Sequence, residues 1–282
     1  MFTMMNNARL GVGGQGVAVA EGAYQHALTY ALERKQGRTA SGSIVDHADV
    51  RRMLLSMKAD VFAARAILLS CAVAIDMSTA TSDADWIARA AFLTPIAKAF
   101  GTDTGIEVAE TGVQVHGGMG FIEETGAAQF YRDVRVTAIY EGTTGIQAMD
   151  LVARKMMDGG EAASNLLDEI EDHAERARAT VPELAGPVWE ATETLREATE
   201  WLVAQDTMDT RFAGAVPYLR AFARVLGGHL HLKAALADKG GAREKLARFY
   251  ILRLLPEHAG LLVHAQSGAD DLFALSIDEL TA

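Results

Sequence analysis

The stretch TMMNNARLGVGGQGVAVAEGAYQHALTYALERK, residues 3–35, decides the fold. Small and apolar residues recur at three- and four-residue steps through Leu10, Gly13, Val17, Ala20, Tyr24, Ala27 and Ala31, which is the spacing of one helix face. One long helix is therefore expected over residues 3–35, stopped by a polar loop at 36–43. The composition agrees with a helical chain: half of the 282 residues are hydrophobic, only 7% are aromatic and five are proline.

Working outward, residues 46–77 carry Val50, Met53, Leu54, Met57, Val61 and Ala64 at helical spacing and predict a second helix. The cluster Ser78-Thr79-Ala80-Thr81-Ser82 reads as a loop. Ser82 or Asp83 can cap a third helix over 84–115, which carries Pro95 and ends at the glycines after His116. A short helix is expected near 127–131 and another over 144–157. Gly159-Gly160 marks a boundary between a unit at 1–158 and one at 161–282, with further helices near 162–180, 188–205, 215–237 and 244–264. Strand alternation does not persist anywhere. The expected fold is all-α: an up-and-down helical bundle followed by a second helical segment.

The net charge of −11 argues against nucleic-acid binding. Every apolar stretch is interrupted by polar residues well before about 20 residues, so no membrane span is expected. The lone Cys71 cannot form an intramolecular disulfide, and a cytoplasmic location fits. Gly11-x-Gly13-x-x-Gly16 matches a dinucleotide fingerprint as a string but lacks the preceding strand, so its glycines read as a close helix crossing. No histidine has a glutamate three residues before it, and no metal is expected. The acidic run Asp168-Glu169-Ile170-Glu171-Asp172 reads as a solvated face, and Trp189 and Trp201 as packing anchors.

The residues with chemical promise lie in RDVRVTAIYEGTTGIQ, residues 132–147. Glu141 follows an apolar run, where poor solvation raises a carboxyl pKa and suits proton transfer. A helix N-terminus near Thr143 pulls the other way. Gly142 leaves a backbone N–H open to a substrate oxygen. The plainer account is a threonine N-cap preceded by an ordinary acid. Arg34 similarly either complements the end of the first helix or grips a phosphate. Arg9 needs a partner if its surroundings are closed.

Three motifs in order, YALERK at 30–35, QVHGGMGF at 114–121 and RD leading to IYEGT at 132–143, resemble the C-terminal helical domain of flavin-dependent acyl-CoA dehydrogenases. The part after Gly160 resembles the helical extension of a bacterial branch, the branch resembling 3-(methylthio)propanoyl-CoA dehydrogenase. The resemblance implies that Glu141 removes the α-proton of an acyl-CoA and that the Gly142 N–H bonds the thioester carbonyl. It implies FAD contacts from Thr143, and from Arg34, Gln114, Gly117 and Gly118 toward a neighbouring subunit. Arg9 and Tyr140 would lie near the substrate. A homo-oligomer (dimer or tetramer) and an electron-transfer flavoprotein partner are implied as well.

The chain departs from the family pattern at Gly145, where many relatives have glutamine, and at Gln36-Gly37, where an aromatic–glycine pair is usual. It also lacks the N-terminal and β-domains that precede this bundle in the family, so a fragment, an expressed domain or a split subunit without full activity is expected. The rival is a noncatalytic helical oligomerisation module. Burial of Arg34 and Gln114 against another copy, with Glu141 sealed in a core, would favour the module; a groove exposing Glu141 beside Gly142 would favour the enzyme.

Overall fold

The computed structural model describes the backbone of residues 2–282 and the side chains of residues 6–282. The expected first unit begins at Met1, which lies outside the described residues. The helices are α1 (Phe2–Glu33), α2 (Ala48–Thr81), α3 (Ala84–His116), α4 (Gly118–Phe121), α5 (Ala127–Val134), α6 (Thr144–Arg154), α7 (Glu161–Ala177), α8 (Pro182–Val203), α9 (Met208–Ala213), α10 (Ala215–Ala237), α11 (Ala242–Phe249), α12 (Glu257–Ala265) and α13 (Ile277–Leu280). Among the described residues there is no β-strand, only one isolated bridge between Lys35 and Ser43. The all-α expectation holds.

The long helices α1, α2 and α3 pack on one another, α5 packs on α1 and α3, and α6 on α3. The crossing of α1 and α3 explains the glycines of the first helix. A Cβ on Gly16 would lie 2.4 Å from the Gly101 carbonyl oxygen, and one on Gly13 would lie 2.8 Å from that of Ala97. These backbones touch, so only glycine fits.

Gly159 and Gly160, at the expected boundary, both take left-handed backbone. Packing nevertheless runs across it. One apolar core joins Ile67, Ile96 and Leu151 to Leu167, Leu184, Leu195 and Phe222. The central helix α10 lies against α2, α3, α6, α8 and α12. A second cluster, including Ala20, Ala27, Leu54, Met57, Val108 and Val134, fills the other end of the first bundle.

Three local expectations change. The cluster 78–81 is helical, because Ser78, Thr79 and Thr81 donate their hydroxyls back to the carbonyls of Ile75 and Met77. Helix α8 starts at Pro182 and continues through Pro187, since Leu184, Ala185 and Val188 are buried on its core face. The acidic run on α7 is neutralised more than solvated: Arg196 pairs with Asp168 and Glu171, and Arg89 with Glu169. One helix, α2, is long and apolar enough by length and composition to cross a membrane, and a third of its most apolar window is buried in the protein. Among the described residues no cluster of three His, Cys, Asp or Glu could hold a metal ion.

His229 and His231 sit on α10 and are 2% and 1% exposed. Burial pushes them down to about 3 and about 4; His173, Lys233 and Arg89 press His229 the same way while Glu169 opposes. Below about pH 6.5 the unfolded histidines take up protons that the folded ones refuse. Stability therefore falls as the pH drops from about 6.5 toward 4, at about 1.4 kcal/mol per pH unit per histidine. Urea unfolding at pH 7 and pH 5 should differ by about 2–4 kcal/mol, and His231→Leu should remove part of the difference. Equal midpoints at the two pH values would contradict it.

Candidate functional site

Helix α5 ends at Val134, a 3₁₀ turn covers Arg135–Ala138, and α6 starts at Thr144. The link between them is the turn Ile139–Thr143. Glu141 has φ 56° and Gly142 φ 90°, so two successive residues are left-handed. Glycine tolerates this, whereas Glu141 bears a strain of about 1–2 kcal/mol. Strain of this kind persists where the surroundings over-determine it, and it clusters at functional sites.

The surroundings here are polar and deep. Lys98, on α3, is fully buried and donates from Nζ to the Gly142 carbonyl oxygen at 2.8 Å. Gln147, on α6 and also fully buried, donates to the carbonyls of Glu141 at 3.0 Å and Gly142 at 3.3 Å. Thr144 donates to Asp103 at 3.0 Å. Burial lowers the Lys98 ammonium pKa, partly offset by the Asp103 and Glu141 carboxylates, while Arg9 adds to the lowering. Burial raises the Asp103 carboxyl. Thr143 caps α6, its Oγ1 accepting from the Ile146 N–H at 3.3 Å.

Glu141 and Gly142 are half-buried, and the apolar side chains around them face outward: Val136, Ile139, Tyr140 and Ile146 are all exposed. The apolar run that leads to Glu141 thus forms an open patch on this chain. Among the described residues no backbone acceptor takes the Gly142 N–H. Tyr140 lies in the same turn, its hydroxyl donating to Gln15 of α1. Arg9 has the partner that a closed environment requires. It is 5% exposed and its Nη1 pairs with Asp150 of α6 at 2.7 Å, so Arg9 fastens α1 to α6.

A second cleft, of about 620 Å³, is lined by Tyr30, Arg34, Gln114, His116, Gly117 and Gly118 with their neighbours. It brings together four of the expected cofactor residues and includes none of 140–143. Among the described residues no carboxylate pairs with Arg34. A Cβ on Gly118 would meet no atom within 4 Å, so its bare backbone is open to a close approach. The His116 ring stacks between His26 and Tyr30, with Nδ1 on the Gly112 carbonyl at 2.7 Å and Nε2 buried without a partner. An unpaired cation, a bare glycine backbone and an orphaned ring nitrogen fit a polar, phosphate-bearing group such as part of a dinucleotide.

Sequence reasoning overlooked Lys98 and the task of Gln147. Lys98 sits within an apolar helical pattern, where a lysine ordinarily marks the solvent side. Its only signal is its helical register with the buried Thr94, Pro95 and Thr102.

The all-α bundle has the architecture of acyl-CoA dehydrogenase C-terminal domains. The family model "Acyl-CoA dehydrogenase, C-terminal domain" matches residues 1–157, and "Acetyl-CoA dehydrogenase C-terminal like" matches residues 166–276. The chain belongs to the acyl-CoA dehydrogenase C-terminal domain family. It is 43% identical to the 3-methylmercaptopropionyl-CoA dehydrogenase of Ruegeria pomeroyi over 266 residues, 87% of this chain and 45% of that protein. A butyryl-CoA dehydrogenase of Syntrophomonas wolfei is 32% identical, over 92% of this chain and 47% of that protein. The structure of an acyl-CoA dehydrogenase complexed with FAD from Bacillus anthracis shares the fold, with a TM-score of 0.76 over 94% of this chain and 49% of that one at 18% identity. The chain spans a little under half the length of these two curated relatives.

Proposed function

We propose that this chain is the C-terminal part of an FAD-dependent acyl-CoA dehydrogenase and that Glu141 is its base. The supporting observation is the strained, half-buried Glu141 beside a Gly142 N–H that has no backbone acceptor among the described residues. The Glu141 carboxylate removes the α-proton of an acyl-CoA thioester. The Gly142 N–H bonds the carbonyl oxygen as negative charge develops there, a contribution of about 3–4 kcal/mol to the rate for a donor of this kind. FAD, when bound, would supply the acceptor for the hydride that leaves the β-carbon, giving a trans-2-enoyl-CoA. Thr143 and Tyr140 flank the base, and the apolar patch of Val136, Ile139 and Ile146 excludes water once covered. Arg34, Gln114, Gly117 and Gly118 would hold the diphosphate or adenosine part of FAD in the second cleft.

Because Glu141 is open rather than sealed, the turn supports an enzyme over a purely structural module. Exposed Leu69, Val73 and Ile87 support assembly into a dimer or tetramer. An electron-transfer flavoprotein would accept the electrons. A free, buried Cys71, its thiol pushed up to about 11 by burial, is compatible with a reducing cytoplasm.

The 282-residue chain by itself offers one face to the acyl-CoA and leaves Glu141 wet. Purified alone with FAD, acyl-CoA and an electron-accepting dye, it should bind flavin weakly and reduce the dye at less than about 1% of the rate of the complete flavoprotein, because water weakens the interactions that stabilise the enolate. A yellow chain that turns over at the full rate would refute the proposal of an incomplete site.

A further inference from the structure

We propose that residues 270–282 of one copy of this chain dock in a cationic, aromatic-lined cleft between α1, α2 and α11 of a second copy. The proposal is independent of the assignment of Glu141 as base.

The segment reads GADDLFALSIDELTA over residues 268–282. Every residue from Asp270 onward is exposed, and Leu272, Phe273, Leu275, Ile277 and Leu280 are each more than half exposed. Large apolar side chains gathered in so short a stretch of surface mark a contact site. The segment is nonetheless shaped. Ser276 and Glu279 cap α13 reciprocally, the Ser276 N–H donating to the Glu279 carboxylate at 2.8 Å. Beside the apolar residues stand the carboxylates of Asp270, Asp271, Asp278 and Glu279, with no cation among them. The complement of such a segment is an apolar surface with a positive rim.

A cleft of about 310 Å³ offers that complement. Tyr24, Val61 and Leu246 line it and are buried. Phe62 lines it as well, its ring held by the His231 ring at a centroid distance of 4.5 Å. Lys58, Arg65 and Arg243 face a single carboxylate there, Glu21, which Arg65 pairs at 2.6 Å. Among the described residues no carboxylate lies within ion-pair distance of Lys58 or Arg243. These two lie over the Tyr24 and Phe62 rings, at 5.8 and 5.1 Å from the centroids. A local excess of positive charge in a chain of net charge −11 selects an acidic partner. The segment does not fill the cleft of its own chain. It leaves α12 at the start of α10, where a Cβ on Gly214 would lie 2.1 Å from the Ala265 carbonyl oxygen. His231, against the cleft, stands about 25 Å further along α10 at 1.5 Å per residue. Residues 270–282 form turns and one short helix instead of stretching back along α10. Two copies related by a two-fold axis make the exchange twice, so both segments and both clefts are filled.

The test compares the full 282-residue chain with the same chain ending at Ala269. Sedimentation velocity gives the dissociation constant of the dimer. Fluorescence anisotropy follows a labelled peptide of residues 268–282 added to the shortened chain. The shortened chain should dimerise at least about tenfold more weakly than the parent, and it should bind the peptide, less tightly as salt is added. Lys58→Glu with Arg243→Glu, both at exposed positions, should weaken the dimer and the peptide complex at least about tenfold each. A Phe273→Asp peptide should not bind. A parent peptide that fails to bind, or that binds the doubly substituted cleft equally well, would overturn the proposal. Undiminished binding of the Phe273→Asp peptide would overturn it too. Peptide binding together with an unchanged dimer constant in the shortened chain would place the segment in its own chain's cleft and rule out the second copy.

Discussion

Glu141→Gln in the complete flavin-loaded protein should reduce turnover of acyl-CoA at least a thousandfold while substrate still binds. The amide keeps the shape of the carboxylate but cannot accept the α-proton, so the step loses its base outright. Binding is spared because the Gly142 N–H and its supports are untouched. The turn should also hold: Glu141 owes its backbone geometry to the carbonyl bonds from Gln147 rather than to its own side chain. The loss should therefore appear in kcat, with KM and the unfolding midpoint near those of the parent. A fall that tracks KM alone would point to a binding role.

The second large effect concerns stability. Arg224 is 4% exposed on α10 and pairs with Asp60 of α2 and with Glu257 at the start of α12. Arg220 joins the same network through Glu257 and Glu107 of α3. These bonds tie the segment beyond Gly160 to the bundle that carries Glu141. Arg224→Met leaves Asp60 buried without its cation, a loss of about 3–5 kcal/mol. Burial already raises the Asp60 carboxyl despite Arg224. In the variant the loss should shrink as the pH falls and Asp60 takes up a proton, because the protonated acid no longer needs a counter-charge. Asp60→Leu combined with Arg224→Met should recover much of the stability. Urea unfolding of the single and double variants at pH 7 measures both effects. Equal stabilities of parent and Arg224→Met would remove the network from the account.

The helices were legible because their apolar spacing carries the packing with it. The glycines of α1 announced a close crossing, and Gly13 and Gly16 meet the backbone of α3. Helix ends were less legible where side chains compete with the backbone. Ser78, Thr79 and Thr81 look like a loop until their hydroxyls are seen to bond within the helix. Glu141, Gly142 and Thr143 stand next to one another in sequence, so a local motif reveals the turn. What holds that turn comes from elsewhere. Lys98 lies 44 residues from Gly142, and Arg9 lies 141 residues from Asp150. Such pairings depend on how three helices cross, which no local pattern encodes. The second cleft shows the same limit: Arg34 and Gln114 were found by motif, while the stacked His116 emerged only once α1 and α3 were placed side by side.

Solvent exchange at the α-carbon tests the assignment of the base most directly. The complete flavoprotein is incubated in D₂O with an acyl-CoA carrying sulfur in place of the β-carbon, which cannot lose a β-hydride, and deuterium at C2 is followed by proton NMR. The parent should exchange the C2 protons and Glu141→Gln should not. Exchange in Glu141→Gln at the parent's rate would mean that another group moves the proton.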